Sequence, residues 1–261
     1  MSGFRNGIKA LAGRTVAAIN PQCRYDRCIF VLAHMRCGST ALSNILCSRP
    51  DISGYGEAHI QYEASQGTAA LGRLVVNQAL RKSWSPRAAY LFDKILHARH
   101  DGQPPKAFFA ARAIFIVREP TATVHSIRKL YADLGRDEYG SDTLALEYYI
   151  ERLETLQTLW ARFPASQRVA ITHESLLSNP EAKLAEISSG LSIEPALENK
   201  YISNSASRAG GAGDPTVSGL FTRIETRRQT ETKTAPSLDV EPSLLTQAKS
   251  RYQDFVENVS A

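Results

Sequence analysis

Two short polar segments of the chain have residue types and positions that suit anion binding. The first, residues 36–40 (RCGST), follows closely on an apolar run at residues 29–33. A run of that length is typical of a buried parallel strand, and Gly38 can adopt backbone angles that are closed to other residues. If a helix begins here, its first amides point at a ligand, for which phosphate is the natural candidate. The residues predicted to contact it are Arg36, Cys37, Gly38, Ser39 and Thr40.

This loop lacks the residues that define two common phosphate-binding loops. A Walker A loop has a lysine after its second glycine, whereas Gly38 is followed by Ser39 and Thr40. A phosphotyrosine-phosphatase loop has an arginine six positions after its cysteine, and position 43 is serine. On this stretch alone, a plain turn with Ser39 as helix cap stays an alternative. A helix N-terminus could make Cys37 a reactive thiol, but we expect it to fill a position that tolerates small residues.

The second segment follows an apolar run at residues 114–117, which we predict to be another buried strand. Arg118 stands at its carboxyl end, and Pro120 is placed to open a helix. Open α/β sheets bind ligands at the carboxyl ends of their strands, and a guanidinium offers two parallel donors with a permanent charge. Arg118 is therefore predicted to bind an anion, with an internal ion pair to Glu119 as the alternative. The predicted buried stripe of the helix is Val124, Ile127, Tyr131 and Leu134.

Both segments resemble motifs of the sulfotransferases. The turn after Arg36 is similar to their 5′-phosphosulfate loop, and the Arg118 segment is similar to their 3′-phosphate motif, in which a serine follows about one helix turn on. The resemblance implies that Arg118 and Ser126 bind the 3′-phosphate of 3′-phosphoadenosine 5′-phosphosulfate (PAPS). It also implies a P-loop-like α/β fold.

A third segment, residues 207–222, is too rich in glycine for a regular helix and is predicted to be a loop. It resembles the sulfotransferase segment that covers the 3′-phosphate and the adenine. Arg208 and Gly210 match that segment, whereas Ala209 replaces a lysine and Pro215 a tryptophan. The resemblance implies that Arg208 carries more of the phosphate contact here.

Four residues are candidates for the chemical step. By resemblance, the segment at residues 52–59 lies near the acceptor, which makes Glu57 the first candidate for the base and His59 an alternative. We predict this segment to be a tight, exposed turn. Lys94 matches a lysine that the family often has at a strand end, but the next histidine is His97 rather than the residue two positions on. The identity of the base is therefore left open.

Composition excludes several other classes of protein. The 261 residues are 43% apolar and 22% charged, which is ordinary for one soluble α/β domain. The net charge is +5, but the basic residues are scattered, so we predict no nucleic-acid or membrane-surface patch. The four cysteines form no CxxC pair, and no histidines neighbour them at metal-ligand spacing, so neither a metal site nor a disulfide framework is expected. No apolar stretch approaches the ~20 residues of a membrane span, and we expect a cytoplasmic location.

The pattern of apolar residues predicts a three-layer α/β fold with a central, mainly parallel sheet flanked by helices. We divide the chain into an N-terminal amphipathic segment packed on the domain (residues 1–27), the α/β domain (28–225), and a polar linker with a C-terminal helix of the same domain (226–261). An organelle transit peptide or a membrane-surface helix would have a sequence similar to that of the N-terminal segment.

The predicted function is transfer of a sulfuryl group from PAPS to a hydroxyl or amine, without a metal. The acceptor is a small molecule, carbohydrate or lipid that the sequence does not identify, and the oligomeric state is not predicted. Two alternatives stay open. A P-loop small-molecule kinase would need magnesium, and a non-catalytic nucleotide-binding module would not need Glu57, His59 or His97.

Overall fold

The computed structural model describes residues 2–202, 221–226 and 237–260. Its centre is a five-stranded parallel sheet in the order β2-β3-β1-β4-β5. The strands are β1 (Cys28–Ala33), β2 (Ile52–Ser53), β3 (Tyr90–Ile95), β4 (Arg112–Val117) and β5 (Arg168–Thr172).

The helices flank the sheet, so the predicted α/β fold class is confirmed. In chain order they are α1 (Ser2–Ile19), α2 (Ser39–Cys47), α3 (Ala69–Leu80), α4 (Ala98–Asp101), α5 (Pro120–Asp133), α6 (Asp142–Arg162), α7 (His173–Ser178), α8 (Pro180–Gly190) and α9 (Pro242–Ser260).

The order of the strands brings the two predicted anion-binding segments together. β1 is buried along its whole length and pairs with β3 on one side and β4 on the other. From β1 the chain passes to β2 and β3 on one side, and it then crosses to β4 and β5 on the other side. Such a reversal opens a crevice at the carboxyl ends of parallel strands. Ala33 at the end of β1 lies opposite Ile116 near the end of β4, so the loops that follow both strands begin side by side.

Two glycines hold the first helix against the domain. A Cβ on Gly72 of α3 would lie 1.8 Å from the carbonyl oxygen of Gly13 in α1. Only residues without side chains allow two helix backbones to approach this closely. The N-terminal helix is therefore packed on the flank of the sheet layer through α3.

Two predictions about exposure are wrong. Leu134 was expected in the buried stripe of α5 but is 43% exposed, because the helix ends at Asp133 and the next residue lies beyond its last turn. The segment around Glu57 was expected to be an exposed turn, yet Tyr55, Glu57 and Ala58 are buried. It lies along the end of β3, where the amide of Lys94 donates to the Gly56 carbonyl.

None of the helices in the described ranges is long and apolar enough to span a membrane.

Candidate functional site

The loop after β1 has the backbone that its glycine predicts. Gly38 adopts φ +87° and caps α2, so Ser39 is the first helical residue and not the cap. A Cβ at Gly38 would lie 3.0 Å from Cδ2 of His173, and Arg36 is also left-handed, with φ +66°. First-turn amides of a helix have no intrahelical acceptors, so the N-terminus of α2 offers donors to an anion.

Arg36, Arg118 and Ser126 converge beside this loop. Nε of Arg36 donates to Oγ of Ser126 at 2.8 Å, and Nη1 of Arg118 donates to the Arg36 carbonyl at 3.0 Å. Within the described ranges, the buried Nε of Arg118 has no hydrogen-bond partner. The Glu119 carboxylate instead caps α5 by accepting from the amides of Thr121 and Ala122. It therefore does not form the ion pair with Arg118 that was the alternative prediction.

His34 links the two strand ends, and the sequence analysis missed it. Its Nδ1 donates to the Met35 carbonyl at 2.8 Å, while its Nε2 accepts from the Arg118 amide at 2.9 Å. Burial lowers the pKa of His34 to about 3, so the ring is neutral and both nitrogens serve as structural partners. The sequence feature that could have identified His34 is its position directly after the apolar run at residues 29–33.

Cys37 is a structural residue. Its thiol is fully buried and donates to the His34 carbonyl at 3.0 Å. Burial raises the pKa of the Cys37 thiol, and this effect outweighs the opposing effects of Ser39 and Lys94. A nucleophilic thiol is therefore disfavoured at this position.

Lys94 and Glu57 approach the loop from the β3 side. Lys94 lies opposite Val31 in the sheet, is 1% exposed, and its Nζ donates to Oγ1 of Thr40 at 3.4 Å. Burial lowers the pKa of Lys94, and the negative charge of Glu57 opposes that effect. Burial disfavours the ionised form of Glu57, but His59 and Lys94 outweigh it and keep the pKa of the carboxyl below its usual range. Glu57 is thus a buried carboxylate at neutral pH.

The two candidate histidines have different surroundings. Nδ1 of His59 lies 3.3 Å from Oε1 of Glu57, and its side chain is 54% exposed. Glu57 raises the pKa of His59, whereas burial lowers the pKa of His97 to about 4. The structure therefore groups Glu57, His59 and Lys94 and places His97 further along the same surface.

A cavity of about 560 Å³ opens beside His97. Residues 97–99, which follow β3, form one wall of this cavity. The other walls come from Tyr139 and from α6, whose Arg152 donates from Nη2 to the Ile95 carbonyl at the end of β3. The lining side chains include His97, Arg99, Tyr139, Glu147, Tyr148 and Glu151.

Arg208 and Gly210, the residues predicted to cover the 3′-phosphate, lie outside the described residues.

A parallel sheet whose central strand leads into a glycine loop and helix defines a P-loop-like α/β protein. Residues 68–196 match the model of the sulfotransferase family. The predicted resemblance to the sulfotransferases is confirmed over this range, and the match and the fold support sulfuryl transfer in general.

Solved structures of sulfotransferases share the fold. The sulfotransferase domain of the Synechococcus PCC 7002 olefin synthase is 19% identical, with a TM-score of 0.60 over 87% of this chain and 94% of that one. The sulfotransferase domain from the curacin biosynthetic pathway is 16% identical, with a TM-score of 0.53 over 86% and 96%. A mouse sulfotransferase complexed with PAP is 13% identical, with a TM-score of 0.52 over 95% and 91%. No curated protein sequence matches the chain.

Proposed function

We propose that this protein transfers a sulfuryl group from PAPS to a hydroxyl or amine of an acceptor, in line and without a metal. The main support for this proposal is the convergence of Arg36, Arg118 and Ser126 beside the N-terminus of α2. The buried Nε of Arg118 fits an anionic ligand, because a buried donor without an acceptor is costly. The mouse sulfotransferase with the same fold is complexed with PAP, which supports a bisphosphate nucleotide as the ligand.

In this proposal, each side of the crevice holds one end of the donor substrate. Arg36 and the first amides of α2 bind the 5′-phosphate, whereas Arg118 and Ser126 bind the 3′-phosphate. PAPS supplies the activated sulfuryl group. As in phosphoryl transfer, the protein's contribution is to position the reactants and to stabilise charge that develops on the leaving oxygen.

Glu57 and Lys94 are the proposed groups for the chemical step. Lys94 is buried beside Thr40 of the loop, where its charge can stabilise the leaving nucleotide. Glu57 is ionised and buried, so it can take the acceptor's proton in a site of low polarity. The alternatives for the base are His97, which lines the cavity beside this site, and His59, whose side chain is more exposed.

The cavity beside His97 is the proposed acceptor site. Its walls combine two tyrosine rings with Arg99, Glu147 and Glu151, so the space has both apolar surface and hydrogen-bonding groups. That lining suits a polar small molecule or a sugar better than a long hydrocarbon chain.

The donor site is tested by calorimetric binding of 3′-phosphoadenosine 5′-phosphate (PAP), ATP and ADP, each with and without magnesium. Wild type should bind PAP tightly without metal, and Arg118→Ala should lose at least tenfold in affinity, because bonds to charged groups contribute about 1.5–3 kcal/mol. Lys129→Ala is the matched control, since it removes the same charge from an exposed position on α5. Preference for ATP with magnesium would identify a kinase instead.

A further inference from the structure

Three potential metal ligands meet beside the proposed acceptor site. The ligand atoms of Glu57, His59 and His100 all lie within 4.8 Å of one another. They come from two separate segments, which is why their spacing in the sequence shows no metal motif. The ring centroids of His59 and His100 are 5.8 Å apart, so the two imidazoles are near neighbours.

Two members of this cluster are buried and lack hydrogen-bond partners. His100 is 7% exposed, and neither of its ring nitrogens is hydrogen-bonded within the part of the chain that is described. Oε1 of Glu57 is likewise buried and has no hydrogen bond within the described ranges, and Nδ1 of His59 lies 3.3 Å from it as an ion-pair partner. Buried polar atoms are nearly always hydrogen-bonded, so buried atoms without partners that face one another are suited to binding a ligand.

The donor set favours zinc. Two imidazole nitrogens and one carboxylate oxygen are typical of open zinc sites, in which water or another ligand takes the fourth position. Calcium and magnesium prefer sites made of oxygen alone. His59 has a left-handed backbone, with φ +53°, which is uncommon outside glycine and holds the ring beside Glu57. The positive charges of Lys94 and Arg99 nearby weaken cation binding, so occupancy depends on the free metal concentration.

We propose that Glu57, His59 and His100 bind Zn²⁺, and that the bound ion blocks the proton-accepting function of Glu57. The second half rests on the proposed function, in which Glu57 is the base. Coordination uses the carboxylate lone pair that would otherwise accept the acceptor's proton, so zinc inhibits transfer. This departs from the sequence-based expectation of no metal site.

Metal binding is measured first, without nucleotide or acceptor. The protein is first stripped of metal with a chelator, which is then removed. It is titrated with Co²⁺ while visible absorption is recorded. In a separate experiment, calorimetry against a competing chelator measures the affinity for Zn²⁺. We expect one ion per chain, with an absorption band of a four-coordinate or five-coordinate cobalt ion. His59→Ala and His100→Ala should each lose at least tenfold in affinity, and His125→Ala, on α5 outside the cluster, should not.

Two results would overturn the site: no cobalt band at one equivalent, or equal zinc affinity in wild type and His100→Ala. Circular dichroism establishes that the variants are folded, and the exposed position of His59 makes its variant the safer one. In the activity assay, Zn²⁺ should inhibit wild type reversibly and His100→Ala far less. Zinc binding without inhibition would overturn the link to Glu57. Failure to bind PAP would count against the proposed function and leave the metal titration valid.

Discussion

Arg36 and Ser126 are hydrogen-bonded although 90 positions separate them in the sequence. One residue belongs to the loop after β1 and the other to α5, so this hydrogen bond joins the two motifs that are proposed to bind the nucleotide. Arg118 adds a second link because it donates to the Arg36 carbonyl. A substitution at any of the three should therefore disturb both ends of a bound nucleotide.

Ser126→Ala tests this coupling. The change removes the acceptor of the Arg36 Nε hydrogen bond and one proposed phosphate contact, so we expect PAP affinity to fall about tenfold. Calorimetry measures the affinity, and Ser178→Ala, an exposed serine on α7, is the control. Unchanged affinity in Ser126→Ala would show that the serine orients nothing in the donor site.

Glu57→Gln tests the proposed base. The amide keeps the size of the side chain but cannot accept a proton, so we expect kcat to fall by about 10²–10⁴ with PAP affinity preserved. The measurement is steady-state transfer to an acceptor found by screening. Glu63→Gln removes a carboxylate from an exposed loop position and should keep full activity. Equal kcat in wild type and Glu57→Gln would move the base to His59 or His97.

At the scale of elements, the contact between α1 and α3 depends on two glycines that face each other. A methyl group on Gly72 would overlap the Gly13 carbonyl oxygen, which lies 1.8 Å from the Cβ position. The helices can only move apart, and α3 leads out of the segment that holds Glu57. Residues 58–68 connect the Glu57 segment to the start of α3.

Gly72→Ala should lower the free energy of unfolding by about 1–3 kcal/mol, the usual cost of overpacking. The intrinsic preference of helices for alanine over glycine works in the opposite direction, by about 1 kcal/mol. Urea denaturation measures the difference. Leu80→Ala on the same helix changes a side chain that is 70% exposed, so it should cost far less. A Gly72→Ala variant more stable than wild type would contradict the close approach of the two backbones.

Across the whole molecule, several buried ionisable groups have pKa values that differ from those of the unfolded chain, so the stability of the fold depends on pH. Burial lowers the pKa of His34 to about 3 and the pKa values of His97 and His100 to about 4. The pKa of Asp93 shifts in the opposite direction, because burial raises it to about 7. Its carboxyl holds the Glu57 segment by accepting from the Ala58 amide and the Tyr62 hydroxyl.

The free energy of unfolding should fall as pH is lowered from 6.5 to about 4. Below 6.5 the three histidines take up protons in the unfolded chain but not in the folded one, so the unfolded state gains stability. Asp93 offsets one of these three because its folded form retains the proton up to a higher pH. Urea denaturation at a series of pH values measures the net slope.

His34→Gln identifies one contributor to that slope. Glutamine can donate and accept but does not titrate, so the dependence between pH 6.5 and 4 should weaken by about 1 kcal/mol for every pH unit. Between pH 7 and 8 the wild type and the variant should have equal slopes, because the histidine is neutral in both states there. Equal slopes below pH 6.5 would mean that His34 takes up protons in the folded protein.

Much of the fold could be predicted because its signals are local. Continuous apolar runs marked β1 and β4, glycine at position 38 marked the left-handed turn before α2, and Pro120 marked the start of α5. Such features follow from side-chain sterics and from burial on both faces of a sheet, which act over a few residues. The family resemblance rested on the same short motifs.

Other features were decided only by the tertiary structure. The sequence did not show that the Glu57 segment is buried, that His34 bridges two strand ends, or that α6 lines the cavity beside His97. Nor did it show that His100 lies beside Glu57 and His59. Each of these depends on which strands are neighbours and on what packs over their ends. Local sequence was enough to predict the strands, the turn at Gly38 and the motifs proposed to bind anions. Contacts between distant residues, and the pKa values that follow from burial, exist only once the sheet has formed.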